Sequence, residues 1–217
     1  MGNLKNAVTK TPVSFSQLEH VVVARNFLKN PQLSTQTAAL AESNPEKILH
    51  VMSYNVLADR LASLRKFRHT TAPVLDFDFR GPRIVDEIKN SRASIICMQE
   101  VDRVKDFYRP RMEGFGMQLI HYKRPRFFQN DGIAIAYRSE DVRLLDTEYV
   151  DLNDLTNVYN NHVFSQNNQA MFCLFEHIRS RKRIIAGNLH LHFNPEKDFI
   201  KFAQASYVLE RGANFAK

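Results

Sequence analysis

Ser91-Arg92-Ala93-Ser94-Ile95-Ile96-Cys97-Met98-Gln99-Glu100-Val101 is the stretch whose reading decides the fold. Its apolar run, Ile95 to Met98, is short and ends abruptly on Gln99-Glu100. A run of that length without polar alternation predicts a strand buried on both faces, as in the middle of an α/β sheet. The carboxylate falls at the strand end where such sheets place ligands. Burying that charge unpaired is expensive. Glu100 therefore reaches solvent at the sheet edge, pairs with a Lys or Arg, or holds a metal.

On either side the chain alternates between helix and strand patterns. Residues 48–55 read as the first strand, ending on the amide Asn55. Residues 57–79 read as irregular up to a turn at Gly81-Pro82. Pro82 suits the first turn of a helix, and Ile84, Val85 and Ile88 give that helix one apolar face. Residues 101–112 read as a second helix, stopped by Gly114 and Gly116. Strands follow at 117–122, 133–137 and 142–151, then an Asn-rich loop at 152–168. Residues 170–177 and 183–192 read as a hairpin. Asn194 and Pro195 supply the N-cap and first position of a last helix, with Phe199, Phe202, Ala203, Ser206 and Leu209 facing inward.

The chain has 217 residues, 44% of them hydrophobic, enough to bury the core of one domain. A formal charge of +7 favours a polyanionic partner, nucleic acid before an anionic membrane. No apolar run is long enough to span a bilayer. Cys97 and Cys173 lie in strand-like runs and read as buried free thiols, which fits a reducing compartment such as the cytoplasm. Residues 1–46 are polar and poor in acid, Glu19 being the only acidic residue before Glu42. They read as a poorly ordered leader, with a mitochondrial transit peptide as the alternative. The basic loops at 123–126 and 179–183 read first as solvated turns, with phosphate tracking second.

Three strand ends then carry polar groups: Asn55, Glu100, and His190 with His192. A carboxylate with an amide oxygen suits Mg²⁺, which takes a few hard oxygen ligands and completes its shell with water and substrate phosphate. A neighbouring His can stabilise charge developing on a phosphate. Zinc fits less well, because His190-Leu191-His192 continues as Phe193-Asn194-Pro195 without further ligands. Each residue also has a plain structural reading. Asn55 can cap a turn, His190 can be a satisfied core histidine, and Asp131-Gly132 is a turn by composition.

The order of motifs resembles a known superfamily. Tyr54-Asn55-Val56-Leu57-Ala58-Asp59 is followed by Arg80, by Ile96-Cys97-Met98-Gln99-Glu100-Val101, by Asp131-Gly132-Ile133-Ala134-Ile135, and by Gly187-Asn188-Leu189-His190-Leu191-His192-Phe193-Asn194-Pro195. This resembles the endonuclease/exonuclease/phosphatase superfamily, in particular its carbon-catabolite-repressor-type deadenylase, nocturnin and angel branch. The resemblance runs from about Ile48 to the end. It implies an α/β fold of two packed sheets flanked by helices, and Mg²⁺-dependent 3′→5′ hydrolysis at an RNA 3′ end such as poly(A). Glu100 would then bind Mg²⁺ with Asn55 beside it, and His190 would contact the scissile phosphate. Pro195 would line the pocket for the terminal base, and Asn168 stands where the family carries an Asn.

Family members continue with a Gly-Asp-Phe-Asn-type strand end and an Asp-His pair, and neither follows His192 here. The expectation is a second sheet with only its opening strand and helix, its C-terminal part missing. Apolar surface would be left on the last strand and helix, and the site would be catalytically incomplete. Two other readings stay open: a non-enzymatic pseudonuclease that binds RNA or a protein partner, and a phosphatase acting on a nucleotide cofactor.

Overall fold

The computed structural model describes residues 48–125 and 130–217, with Ala39, Ser43 and Asn44. The expected leader over residues 1–46 falls almost wholly outside these, as does Arg126 of the basic loop.

The first sheet is built around β2, Ile95–Val101. Strand β1, Val51–Asn55, runs parallel to it, in register from Val51 opposite Ile95 to Asn55 opposite Gln99. A parallel neighbour needs a crossover. The connection carries a 3₁₀ turn at Asp59–Leu61, a short helix α1 at Ala72–Leu75, and α2 at Phe77–Ser91. After β2 come a π-turn, Val104–Tyr108, and a short helix α3, Arg109–Glu113. Strands β3, Met117–Lys123, and β4, Gly132–Arg138, then complete an order of β1-β2-β4-β3. The second sheet is an antiparallel run of β5, Val142–Asp151, β6, Gln169–His177, and β7, Arg183–His190. Between β5 and β6 lies a short helix α4, Leu155–Val158, and α5, Asp198–Phe215, follows β7.

Alternation of side chains along β2 and β4 explains the layers, because successive residues of a strand face opposite sides. Ile95, Cys97, Ile133 and Ile135 pack against Val142, Met171, Cys173 and Phe175 of the second sheet. Ile96, Met98, Ala134 and Ala136 face the other way, onto Ile84, Val85 and Ile88 of α2 and Tyr108 and Met112 beyond it. Val150, Ala170 and Phe172 form a further cluster with Val208 of α5. The layers are helix, sheet, sheet, helix. Both cysteines are buried and free, and burial pushes their thiols up to about 11.

Several expected elements are corrected. Helix α2 starts at Phe77, where Asp76 caps the amide of Asp78, so Pro82 lies inside it. Gly81 is the close-contact position there, since a Cβ would stand 2.6 Å from the Phe107 ring. The residues after Glu100 do not open a helix at once. The strand runs on to Val101, and Arg103 turns the chain through a left-handed φ of 49°. The second sheet has three strands, more than an opening strand alone, because the 142–151, 170–177 and 183–192 segments all join it. Strand β7 ends at His190, two residues short of the expected His192.

The inward face of α5 is also corrected. Phe199, Phe202 and Leu209 are 54%, 75% and 74% exposed, while Ile200, Ala203, Gln204 and Val208 are buried. Apolar residues lie nearly all around this helix, so its periodicity does not fix its rotation. The buried hydrogen bonds of Gln204 accompany the observed phase. Leu189 on β7 is 37% exposed, and with Phe202 and Leu209 it shows the expected apolar surface on the last strand and helix.

Candidate active site

The backbone at the end of β2 is irregular where the carboxylate stands. Gln99 pairs with Ile133 and Val101 with Gly132, so Glu100 is the extra residue of a β-bulge. Its φ is +57°, a conformation uncommon outside glycine. Bulges re-aim side chains and recur beside functional sites. Here the Glu100 Oε1 accepts a hydrogen bond from Asn55 Nδ2 at 3.0 Å, and Asn55 Oδ1 accepts from the Leu57 amide at 3.0 Å. Asn55 is thus both a turn cap and a support for Glu100. His190, the last residue of β7, brings Nε2 to 3.8 Å from Glu100 Oε1. The ends of β1, β2 and β7 meet at these three residues.

Charge at the site follows from burial. Burial lowers the pKa of His190, outweighing the pull of Glu100, so the imidazole is neutral at pH 7 and the contact is no ion pair. Glu100 Oε2 and His190 Nδ1 are both buried without a hydrogen-bond partner in the structure. An unpartnered carboxylate oxygen beside a neutral imidazole is suited to a cation and an oxyanion arriving together.

The other two expected substrate residues differ in their relation to this trio: Asn168 bonds to the backbone of His190, and Pro195 lies in the turn after β7. Asn168 is buried, and its amide is spent within the protein. Nδ2 donates to the His190 carbonyl at 2.9 Å and Oδ1 accepts from Gln204 Nε2 at 3.1 Å. Gln204 in turn accepts from the His192 amide at 2.8 Å. Asn168 and Gln204 therefore hold the end of β7 in place. Pro195 is exposed and begins a 3₁₀ turn, Pro195–Lys197, capped by Asn194.

Two polar networks anchor the site from behind. Asn188, buried on β7, donates to the carbonyls of Met98 and Ala134 at 2.8 Å each and accepts from Gln99 Nε2 at 2.7 Å. It ties the two sheets together one residue before the bulge. The second network centres on Asp131, fully buried. Its Oδ1 accepts from Arg60 Nε and Nη2 at 2.9 and 2.5 Å, and its Oδ2 from Arg124 Nε at 3.0 Å. Burial opposes the Asp131 charge, but the two guanidiniums outweigh it and hold the carboxyl below its usual range. Asp102 is buried, which raises its pKa.

The donor set fits a hard cation only in part. Among the described residues no three His, Cys, Asp or Glu side chains are grouped so as to hold a metal. Asp131 is consumed by its arginines. Glu100 offers one free oxygen, which suits an ion that keeps several waters and is bound through one or two carboxylates plus substrate phosphate.

The fold is similar to that of one class, the endonuclease/exonuclease/phosphatase proteins. The crystal structure of ANGEL2, described as a 2′,3′-cyclic phosphatase, superposes with a TM-score of 0.68 at 28% identity over 77% of this chain and 48% of that one. The human nocturnin catalytic domain gives a TM-score of 0.64 at 22% identity over 77% and 58%, a likeness of fold. No family model matches the chain. Within the class its homologues are of the Ccr4 type. The CCR4-Not complex 3′-5′-exoribonuclease subunit Ccr4 of Neurospora crassa is 28% identical over 188 residues, 78% of this chain and 24% of that protein. Carbon catabolite repressor protein 4 homolog 4 of Arabidopsis thaliana is 28% identical over 196 residues, 76% and 47%. The chain spans about a quarter of the length of the first of these relatives and about half of the second.

Proposed function

We propose that the Asn55–Glu100–His190 group is the cation- and phosphate-binding part of a Mg²⁺-dependent phosphodiesterase site acting 3′→5′ on RNA, with poly(A) as substrate. The observation that carries this is the bulge, which presents a buried carboxylate oxygen without a partner beside His190. Glu100 would hold the cation through Oε2, and Asn55 fixes Glu100 by donating to Oε1. The cation would supply charge compensation at a phosphoryl oxygen. His190, neutral at pH 7, would donate a hydrogen bond to that phosphate. Asn168 and Gln204 position His190 by holding its carbonyl and the following turn. The Ccr4-type homologues favour RNA as substrate, and the net positive charge agrees with a polyanion.

Hydrolysis also needs an activated water, and general-base assistance is worth on the order of 10²–10⁴-fold. No third acidic or histidine side chain is grouped with Glu100 and His190 among the described residues. We therefore propose that these 217 residues alone bind Mg²⁺ weakly and show no nuclease turnover above background. The similarity to ANGEL2 favours one second reading, a phosphatase acting on 2′,3′-cyclic ends.

The test compares this chain with a longer one that adds the family's downstream segment. Oligoadenylates with free or 2′,3′-cyclic 3′ ends are offered, with Mg²⁺ or EDTA. Mononucleotide release by the longer chain only, lost in Glu100→Ala, is expected. Opening of the cyclic end without shortening would select the second reading. Turnover by the short chain abolished by Glu100→Ala would refute its incompleteness. Inactivity of the longer chain on every substrate would leave RNA or partner binding without chemistry.

A further inference from the structure

We propose that Arg60 and Arg124, held by buried Asp131, form an anion clamp for a backbone phosphate neighbouring the one at Glu100 and His190. The inference rests on the RNA reading above and adds to it a second phosphate subsite. One arginine is enough to satisfy a buried carboxylate. Asp131 has two, and placing like charges together in a part-buried setting is costly without a further role. The Arg60 side chain is 36% exposed and that of Arg124 13%, so the pair borders solvent.

Donors are also left over. Arg60 commits Nε and Nη2 to Asp131. Arg124 commits Nε to Asp131 and Nη1 to the Asn167 carbonyl at 2.9 Å. Nη1 of Arg60 and Nη2 of Arg124 have no hydrogen bond among the described residues. The two remaining nitrogens, on guanidiniums ordered by a shared carboxylate before binding, are donors for the oxygens of a phosphate.

The clamp is also next to the site. Arg60 lies in the turn leaving Asn55. Asp131 adjoins Gly132, which pairs with Val101 beside Glu100. Asn167, bound by Arg124, precedes the Asn168 that holds the His190 carbonyl. Each segment that carries a site residue is thereby tied to the clamp.

The test is binding of a short oligoadenylate to the full chain in EDTA, so that hydrolysis does not enter, across a salt series. Arg60→Gln leaves Asp131 paired with Arg124 and is the variant of choice; a thermal melt checks its fold. Loss of one phosphate contact lowers the slope of log K against log salt by about 0.7 for a single strand. The expected result is that fall in slope with about tenfold weaker binding, and with Arg60→Lys keeping the slope but not the full affinity. Unchanged affinity and slope in Arg60→Gln would overturn the clamp, as would absence of binding by the parent chain. Inorganic phosphate competing as well as the oligonucleotide, phosphate for phosphate, would mark an isolated-anion site and refute the backbone assignment. Salt-dependent binding that needs Arg60, in a chain whose extended form hydrolyses nothing, would sustain the clamp while the nuclease reading fell.

Discussion

Replacing Glu100 by Gly and, separately, by Ala isolates the backbone strain at the bulge. Both variants lose the hydrogen bond from Asn55 and both remove the unpartnered Oε2, so those effects cancel between them. What differs is the backbone. A non-glycine residue in the left-handed region, where Glu100 sits with φ of +57°, costs about 1–3 kcal/mol. Glycine avoids that cost but loses about 0.5–1 kcal/mol more conformational freedom on folding than alanine. The net expectation is that Glu100→Gly is more stable than Glu100→Ala by about 1 kcal/mol. For a chain of this size that is about 2–4 °C in Tm. Thermal and urea unfolding of the two purified variants measure it. An alanine variant as stable as the glycine variant would mean that the bulge is not held under strain. The account of how Glu100 is aimed would then be wrong.

Three other substitutions probe the supports. Asn188→Ala removes the bonds to Met98, Ala134 and Gln99 at once, and should cost about 2–4 kcal/mol; a urea midpoint close to wild type would show that the sheets do not depend on it. Gly132→Ala places a Cβ against the Tyr122 carbonyl oxygen and 2.8 Å from His121 Nε2, so the variant should unfold earlier by at least about 2 kcal/mol, against which an unchanged melting curve would count. Burial lowers the pKa of His121 although its Nε2 meets the Val101 carbonyl at 3.2 Å. The unfolded chain therefore takes up that proton first, so its contribution to stability is full above about pH 6.5 and declines as the pH falls below it. His121→Gln should flatten the fall in stability between about pH 7 and pH 5, and an unaltered slope would exclude His121 as the group responsible.

The sequence made the layers legible because they rest on burial. Ile95 to Met98 had no polar alternation, and the strand is indeed covered on both faces. Charge and hydrogen-bond direction were less legible. Asp131-Gly132 had the composition of a turn, and nothing in its neighbours announced partners at Arg60 and Arg124. A local signal did exist, since an Asp at the mouth of a fully apolar strand must find a cation. The rotation of α5 was misread because Phe199, Phe202 and Leu209 carry the hydrophobicity while Gln204 holds the buried position.

Gln204 and Asn188 show why such residues escape a reading by pattern. Both are polar side chains inside the protein, and both bond to backbone groups of neighbouring segments. Gln204 meets the His192 amide just past the end of β7, and Asn188 meets carbonyls beside the Glu100 bulge. Strand ends and bulges create unpaired backbone groups, and burial makes each one costly. A site built on strand ends and a bulge therefore calls for buried amides near it.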